Sequence, residues 1–434
     1  MQITIHRSWL FGVAVTTSLA VTAAYPSLAV AQTPISTAAA HPLAPLTLSA
    51  VLNLALRASP DLAVARRELE ATEGAVIQGQ TRPNPVASYL LEDASQATRT
   101  TTLQFNQPIE LGAKRAARID AAERGRDIAS AELAAHQAEI RAMVTGVFFE
   151  VVVAQERSRL TQELVELSGR ASEVAAKRVQ AGKVSPVEET RARVAEANAR
   201  VELSQAQSEL STARQRLAAS WGDPSPRFSQ AEGSVDALPA LPSLDALQTR
   251  LAESPNLRRA QFEIERRKAL ADLERAKRVP DVTLSLGVKR DEQFGRNQAL
   301  IGVSLTLPIF DSNRGNLLEA LKRQDRARDE HLAIQNRLNT ETFAARERLS
   351  SARTQAETLH REVLPGAQSA YEAASKGYEF GKFNFLDVLD AQRTLFQAKA
   401  QYLRSLADAH RAAADIDRLL GSSPDIFQQP DVKP

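Results

Sequence analysis

The 434-residue chain carries 54 Lys and Arg against 52 Asp and Glu, no cysteine, and only 5% aromatic residues. A net charge of +2 gives no electrostatic reason to expect nucleic acid or an anionic surface as partner. The absence of cysteine excludes disulfides, thiolate metal sites, cysteine nucleophiles and a lipidated N-terminal cysteine.

Residues 1–31 read as a secretory signal peptide. His6 and Arg7 supply a basic start, Trp9 to Ala24 is an apolar and small-residue run, and Ala29-Val30-Ala31 is a small-x-small site with cleavage before Gln32. Residues 32–45 form an N-terminal linker. From there the chain is written twice. Ser59-Pro60-Asp61-Leu62 recurs as Ser254-Pro255-Asn256-Leu257, 195 residues on; Gln107-Pro108-Ile109 recurs as Leu307-Pro308-Ile309, 200 on; Ala181-Gly182-Lys183 recurs as Phe380-Gly381-Lys382, 199 on. The first repeat spans 46–226, with strands over 86–93 and 99–107 and a long helix over 112–181. A Pro-rich linker covers 227–242. The second repeat spans 243–424, with strands over 281–290 and 299–307 and a long helix over 312–380, and 425–434 form a C-terminal tail.

The strands alternate. Val282, Leu284, Leu286 and Val288 face one way, while Thr283, Ser285, Gly287 and Lys289 face the other; Ile301, Val303, Leu305 and Leu307 continue the pattern. Period-two patterning with one apolar face fits either a half-buried hairpin or a transmembrane barrel strand. The helices carry heptad spacing, strictest through Leu338, Thr342, Ala345, Leu349, Ala352, Ala356, Leu359 and Val363. At 1.5 Å per residue, each long helix reaches about 100 Å. The medium helix from Asp61 to Gln80 is the right length to stack end to end with the returning helix and fill the remaining height. Four strands cannot close a barrel, so a membrane-spanning reading requires several copies of the chain.

The duplicated plan resembles the TolC-type outer-membrane factors from about Leu46 to Pro424. The most specific match is Gly377-Tyr378-Glu379-Phe380-Gly381 leading to Leu386-Asp387-Val388-Leu389-Asp390-Ala391, similar to that family's periplasmic-tip turn and returning helix. Gln107-Pro108-Ile109-Glu110-Leu111-Gly112-Ala113-Lys114-Arg115 and Arg82-Pro83-Asn84-Pro85 resemble the heavy-metal branch, which serves cobalt–zinc–cadmium and nickel–cobalt efflux. The resemblance implies a mainly α fold with a β-barrel contribution: a homotrimer with a twelve-stranded outer-membrane β-barrel continuous with a periplasmic α-helical barrel. It also implies passive export, with a periplasmic membrane-fusion adaptor and an inner-membrane RND pump as partners. A duct of the same build serving drugs, organic solutes or type I secretion remains open, as, more remotely, does a periplasmic adaptor or a structural coiled coil.

The resemblance implies that Asp387 and Asp390, three apart on one helix face, form acidic rings at the tunnel tip, and that Tyr378 helps hold a closed state. The plainer alternatives are a helix-start acid favoured by the macrodipole, a solvated acid and a packed aromatic. The basic residue expected near Tyr378 is absent; Phe383 stands in its place, beside Lys382. In the first repeat the matching positions to the acidic pair hold Glu188 and Arg191. Gly182 and Gly381 mark the tip turns. Glu110, Gly112, Lys114 and Arg115 mark a barrel-to-helix junction, with strand ending and helix capping as their plainer role. The six histidines (6, 41, 136, 331, 360, 410) have no chelating i, i+3 or i, i+4 spacing, and Met143 stands alone. No metal site, cofactor or enzymatic motif is expected.

Overall fold

The computed structural model describes residues 46–93, 95–226, 228–233 and 237–421. The expected signal peptide, N-terminal linker and C-terminal tail lie outside the described residues, and the elements below belong to the compact unit that begins at Pro42.

Each repeat opens on a short strand-or-coil segment and a short helix: β1 (Leu46–Thr47) and α1 (Leu48–Ala58) in the first. Then comes α2 (Pro60–Gln80), whose proline at the first helical position has no N–H to leave unsatisfied. Strands β2 (Val86–Glu92) and β3 (Thr100–Ile109) lead into α3 (Lys114–Gln180), and α4 (Pro186–Ala219) returns. Strand β4 (Ala231–Glu232) lies in the linker. The second repeat supplies α5 (Leu244–Ala252), α6 (Pro255–Ala276), β5 (Val282–Asp291), β6 (Arg296–Leu305), α7 (Arg314–Thr358), α8 (Leu364–Glu379) and α9 (Phe385–Leu420).

The helices form a wall four columns wide. Helices α2 and α4 both pack on one side of α3, α6 and α9 pack on its other side, and α7 packs beyond them on α6 and α9. The paired helices in the first and third columns meet end to end. Gly222 (φ +81°) ends the α4 turn against the ring of Pro60, which starts α2. Gly421 (φ +70°) does the same against Pro255, where a Cβ would fall 2.1 Å from the proline Cδ. Only glycine combines that backbone with that clearance. Alanine and leucine knobs fill the seams: Ala199, Ala206, Ala213 and Leu217 on α4, and Leu406, Ala409, Ala413 and Ile416 on α9 are all buried.

The second long helix departs from the expected continuous run over 312–380. Residues Leu359–Val363 form a π-helical turn between α7 and α8. Pro365 explains it: proline has no N–H to donate and its ring crowds the carbonyl four residues back, so the ladder widens by one residue. That extra residue shifts the heptad. Continued without a break, the seam of Leu338 to Leu359 would next use Val363, Gly366, Ala370 and Ala373. Instead Val363 is exposed, and Leu364, Ala367, Tyr371 and Ala374 carry the packing. The same shift brings Tyr378 into the seam at the tip.

The linker straps the columns together. Ala231 is bracketed by the Gln155 amide of α3, donating to Gln155 Oε1 at 2.8 Å and accepting from Nε2 at 3.0 Å. Strand β4 pairs parallel with β1. Arg346 of α7 donates to the Pro242 carbonyl at 3.1 Å, and Arg353 donates to that of Pro239. Beneath the strap lies the main core, with Phe148, Val151 and Val152 of α3 against Val51 and Ala55 of α1 and Phe228.

The four long strands make one antiparallel sheet in the order β2-β3-β5-β6, so the hairpins of the two repeats lie side by side. Register is continuous: Ala87 faces Phe105, Phe105 faces Leu286, and Leu286 faces Ile301.

Candidate functional site

The sheet inverts the usual burial rule. Its apolar face is the exposed one, with Ile301 83%, Leu286 60% and Tyr89 67% accessible, while along β5 the opposite face, Thr283, Ser285, Gly287 and Lys289, is polar or small and half-buried. On that polar face Ser285 Oγ donates to Asn106 Oδ1 at 2.6 Å, and Gln104 Nε2 donates to the same oxygen at 2.7 Å. Gly287 lets β3 approach: a Cβ there would lie 2.6 Å from the Leu103 carbonyl oxygen. An outward apolar band and an inward polar one are what a barrel needs when lipid is outside and water inside. The outer edges of β2 and β6 have no partner strand among the described residues.

At the junction between sheet and helices, the first-repeat residues come together around the start of β5. Gly112 adopts φ +71°, and a Cβ would fall 2.7 Å from Val279 Cβ. Lys114, almost fully buried, pairs with Asp281 at 2.7 Å, and Leu111 N donates to the same carboxylate oxygen at 3.0 Å. Burial pushes the Asp281 carboxyl up, but the Lys114 ammonium and the Leu111 amide outweigh it and hold the group below its ordinary range. Arg118 forks onto Glu110 at 2.6 and 3.1 Å, and that hydrogen-bonded contact holds Glu110 below the usual carboxylate range. Arg115 donates to the Gln80 carbonyl at 2.8 Å, tying α3 to α2. The charged site residues of this segment are thus each tied to a neighbouring element, and Arg118 and Asp281, absent from the sequence expectation, are the counter-ions of Glu110 and Lys114.

At the other end, both tip turns are glycine-closed. Gly182 (φ +66°) and Gly381 (φ +71°) follow α3 and α8. The amides of Lys183 and Lys382 reach back to the carbonyls of Arg178 (2.9 Å) and Gly377 (2.8 Å), satisfying helix-end acceptors. Asp387 sits in a capping box: its amide donates to Asn384 Oδ1 and its carboxylate accepts from the Asn384 amide, both at 3.0 Å. Asp387 and Asp390 are both exposed, and they share the solvent side of α9 while Phe385 and Val388 face inward. The matching Glu188 is half-buried, with one carboxylate oxygen lacking a hydrogen-bond partner.

Tyr378 packs between the two hairpins, against Ala175, Ala192 and Phe385. Its basic neighbour comes from the first repeat. The Arg178 guanidinium lies 4.2 Å from the Tyr378 ring centroid, and its two Nη atoms donate to the carbonyls of Tyr378 (3.2 Å) and Glu379 (3.4 Å). A cation stacked on an aromatic ring and set on a helix C-terminus is favoured twice. Phe383, where a cation was expected, instead lays its ring on Gly377: a Cβ there would fall 2.0 Å from Phe383 Cδ2. Arg178 and Gly377 occupy equivalent places in the two repeats, offset by 199 like Gly182 and Gly381. That exchange of arginine for glycine was the sequence signal for the clasp.

Two ion pairs tie α3 to its neighbours on either side: Glu150 with Arg411 of α9 at 2.9 Å and Arg157 with Glu209 of α4 at 2.6 Å. Among the described residues no three His, Asp or Glu side chains converge to hold a metal ion. No single described helix is long and apolar enough to cross a membrane.

Residues 51–223 and 246–422 match the outer membrane efflux protein family. The chain belongs to that family. Efflux-family relatives place it more finely. It is 48% identical over 408 residues to the cobalt-zinc-cadmium resistance protein CzcC of Cupriavidus metallidurans, covering 93% of this chain and 98% of that one. It is 33% identical over 283 residues to the nickel and cobalt resistance protein CnrC of the same organism, covering 63% and 66%. Its fold superposes on the structure of CusC, described for its transmembrane channel formation, with a TM-score of 0.74 at 18% identity, over 87% of this chain and 92% of that one. As a member of the outer membrane efflux family, the protein is an outer-membrane transport conduit.

Proposed function

We propose that the chain is the exit duct of a heavy-metal efflux complex, assembled as a homotrimer and passing divalent cations such as cobalt, nickel, zinc and cadmium out of the cell. Three four-stranded sheets supply a twelve-stranded barrel, and three four-column walls supply a periplasmic tunnel of twelve columns. The observation that carries this reading is the inverted sheet, with bare strands at both edges. Unpaired backbone groups are not tolerated in lipid, so copies must complete each other. The 48% identity to a cobalt-zinc-cadmium resistance protein supports the metal cargo. A periplasmic adaptor and an inner-membrane RND pump supply the cargo and the energy; the duct itself is no enzyme and carries no cofactor.

Asp387 and Asp390 form the cation-attracting constriction at the tip. Three-fold symmetry gathers six carboxylates there, in a confined space where charges interact more strongly than in bulk water. Tyr378 and the turns at Gly182 and Gly381 shape the closed state, and Glu110, Gly112, Lys114 and Arg115 fix the barrel to the tunnel. The test is ion selectivity in planar bilayers. Asp387→Asn with Asp390→Asn lowers cation preference and relieves block by polyvalent cations from the periplasmic side, while assembly is retained, because an asparagine oxygen at 387 still accepts from the Asn384 amide. Wild-type selectivity in that double variant removes the acidic ring from the constriction.

A further inference from the structure

The two repeats meet inside one chain, and that meeting shows how one copy meets the next. Strand β3 is ten residues long, but its own hairpin partner β2 pairs only as far as Asn106. The last three residues are held as strand by the second repeat: Gln107 pairs with Leu284, Pro108 with Thr283 and Ile109 with Val282. In the second repeat, β6 pairs with β5 only as far as Leu305. The following segment, Thr306 to Ile309, is no strand, although Leu307-Pro308-Ile309 repeats Gln107-Pro108-Ile109. Leu307 and Ile309 are 66% and 74% accessible. What that segment lacks is a neighbour equivalent to β5.

The equivalent of β5 is β2. The segment from Ser59 to β2 maps onto the segment from Ser254 to β5 with an offset of 195, which also aligns Pro85 with Pro280. The run from β3 into α3 maps onto the run from β6 into α7 with an offset of 200. These offsets preserve the hairpin register: Ala87 faces Phe105 in the first repeat, and Val282 faces Leu305 in the second. Strand directions alternate across the sheet, so β6 of one copy lies antiparallel to β2 of the next.

We propose that copies of this chain join through β6 and β2 in the register of the internal β3–β5 seam. Ile309 of one copy then faces Ala87 of the next, Leu307 faces Tyr89, and Leu305 faces Leu91. The inference rests on the trimeric reading above and adds the register and its chemistry. All three pairs fall on the apolar outward face, where Tyr89 and Leu91 are exposed in the single chain. Assembly extends β6 through Ile309, as pairing with β5 extends β3 through Ile109. The internal seam is also locked by the Lys114–Asp281 ion pair. Its counterparts at the new seam are Arg314 and Val86, so contact between copies dispenses with that ion pair and depends on backbone pairing and apolar cross-strand contacts.

The chain has no native cysteine, so introduced cysteines read the register directly. Directly opposed residues on antiparallel strands lie within disulfide reach. Tyr89 lies on the first strand of the sheet, level with Ala299 on the fourth, and Leu307 follows eight residues beyond Ala299, so the two are at least about 14 Å apart across the strands and further along them, and no bond forms within one chain. Oxidation of full-length Leu307→Cys with Tyr89→Cys in outer membranes is expected to convert most of the protein to covalent dimers and trimers, as is Ile309→Cys with Ala87→Cys. Either single variant alone, and the slipped pair Leu307→Cys with Leu91→Cys, is expected to stay monomeric on denaturing gels. Cross-linking of the slipped pair in preference to the matched pairs overturns the register. No cross-link from either matched pair, in protein whose native mass is three chains, overturns the seam while leaving the trimer standing. A native mass other than three chains overturns both.

Discussion

Replacing Arg178 with alanine tests whether the tip is held by a clasp between the two repeats. The guanidinium stacks 4.2 Å from the Tyr378 ring centroid and donates to two carbonyls at the end of α8. Cation–ring stacking at a partly exposed site is worth roughly 0.5–1 kcal/mol. Charged hydrogen bonds are worth about 1.5–3 kcal/mol at good geometry, but those at 3.2 and 3.4 Å sit near the distance limit and are accessible to water. The clasp as a whole is therefore worth about 2 kcal/mol, which moves a closed–open equilibrium by roughly 30-fold. The assay is single-channel open probability in planar bilayers, with Arg178→Ala raising the open-to-closed ratio by at least that factor, because the proposed trimer carries three such clasps. Arg178→Lys is intermediate, because lysine keeps the charge and loses the planar fork. Lys177→Ala is the control: its pair with Glu173 is exposed on both sides, so its removal changes nothing measurable. If Arg178→Ala behaves as wild type while Tyr378→Ala opens the pore, or if Lys177→Ala opens it equally, the clasp does not hold the tip.

Two further outcomes concern the sheet end of the protein, opposite the tip. Leu286→Arg, on the exposed apolar face, is expected to cost roughly 2–4 kcal/mol near the bilayer midplane and to reduce assembled protein in outer-membrane fractions, whereas Thr283→Arg on the polar face is mild; equal damage refutes the assignment of faces. The Glu110–Arg118 pair makes the junction acid-sensitive. Because Glu110 is held below its ordinary value of roughly 4.3, its stabilisation is complete above that value and is lost as pH falls through the lowered one. Thermal unfolding of Glu110→Gln and the parent protein should therefore differ at neutral pH and converge in acid, and a gap independent of pH refutes the linkage.

Much of the architecture was legible in the residues because it rests on local, periodic physics. Duplicated Ser-Pro helix starts, glycine-closed turns and heptad alanines specify elements and their neighbours with little reference to anything distant. The alternation of Val282 to Lys289 declared two unlike faces. It left open which of them meets solvent, because an ordinary hairpin and a barrel strand share one pattern; the arrangement of the four-stranded sheet decided that the apolar side is bare.

Other features depended on contacts between residues far apart in the chain. Arg178 reaches Tyr378 across 200 positions, and Lys114 reaches Asp281 across 167. Tyr378 and Lys114 stood out in the sequence, but Arg178 and Asp281 did not: an arginine near a helix end reads first as a solvated charge, and only comparison of the two repeats sets Arg178 apart. The heptad read cleanly through Leu359 and then misled, because Pro365 forces a π-helical turn that leaves Val363 exposed and brings Tyr378 into the seam. Periodicity in sequence reports which residues share a face while the helix keeps one pitch. Where the pitch changes, and where one repeat leans on the other, only the packed chain determines which side chains meet.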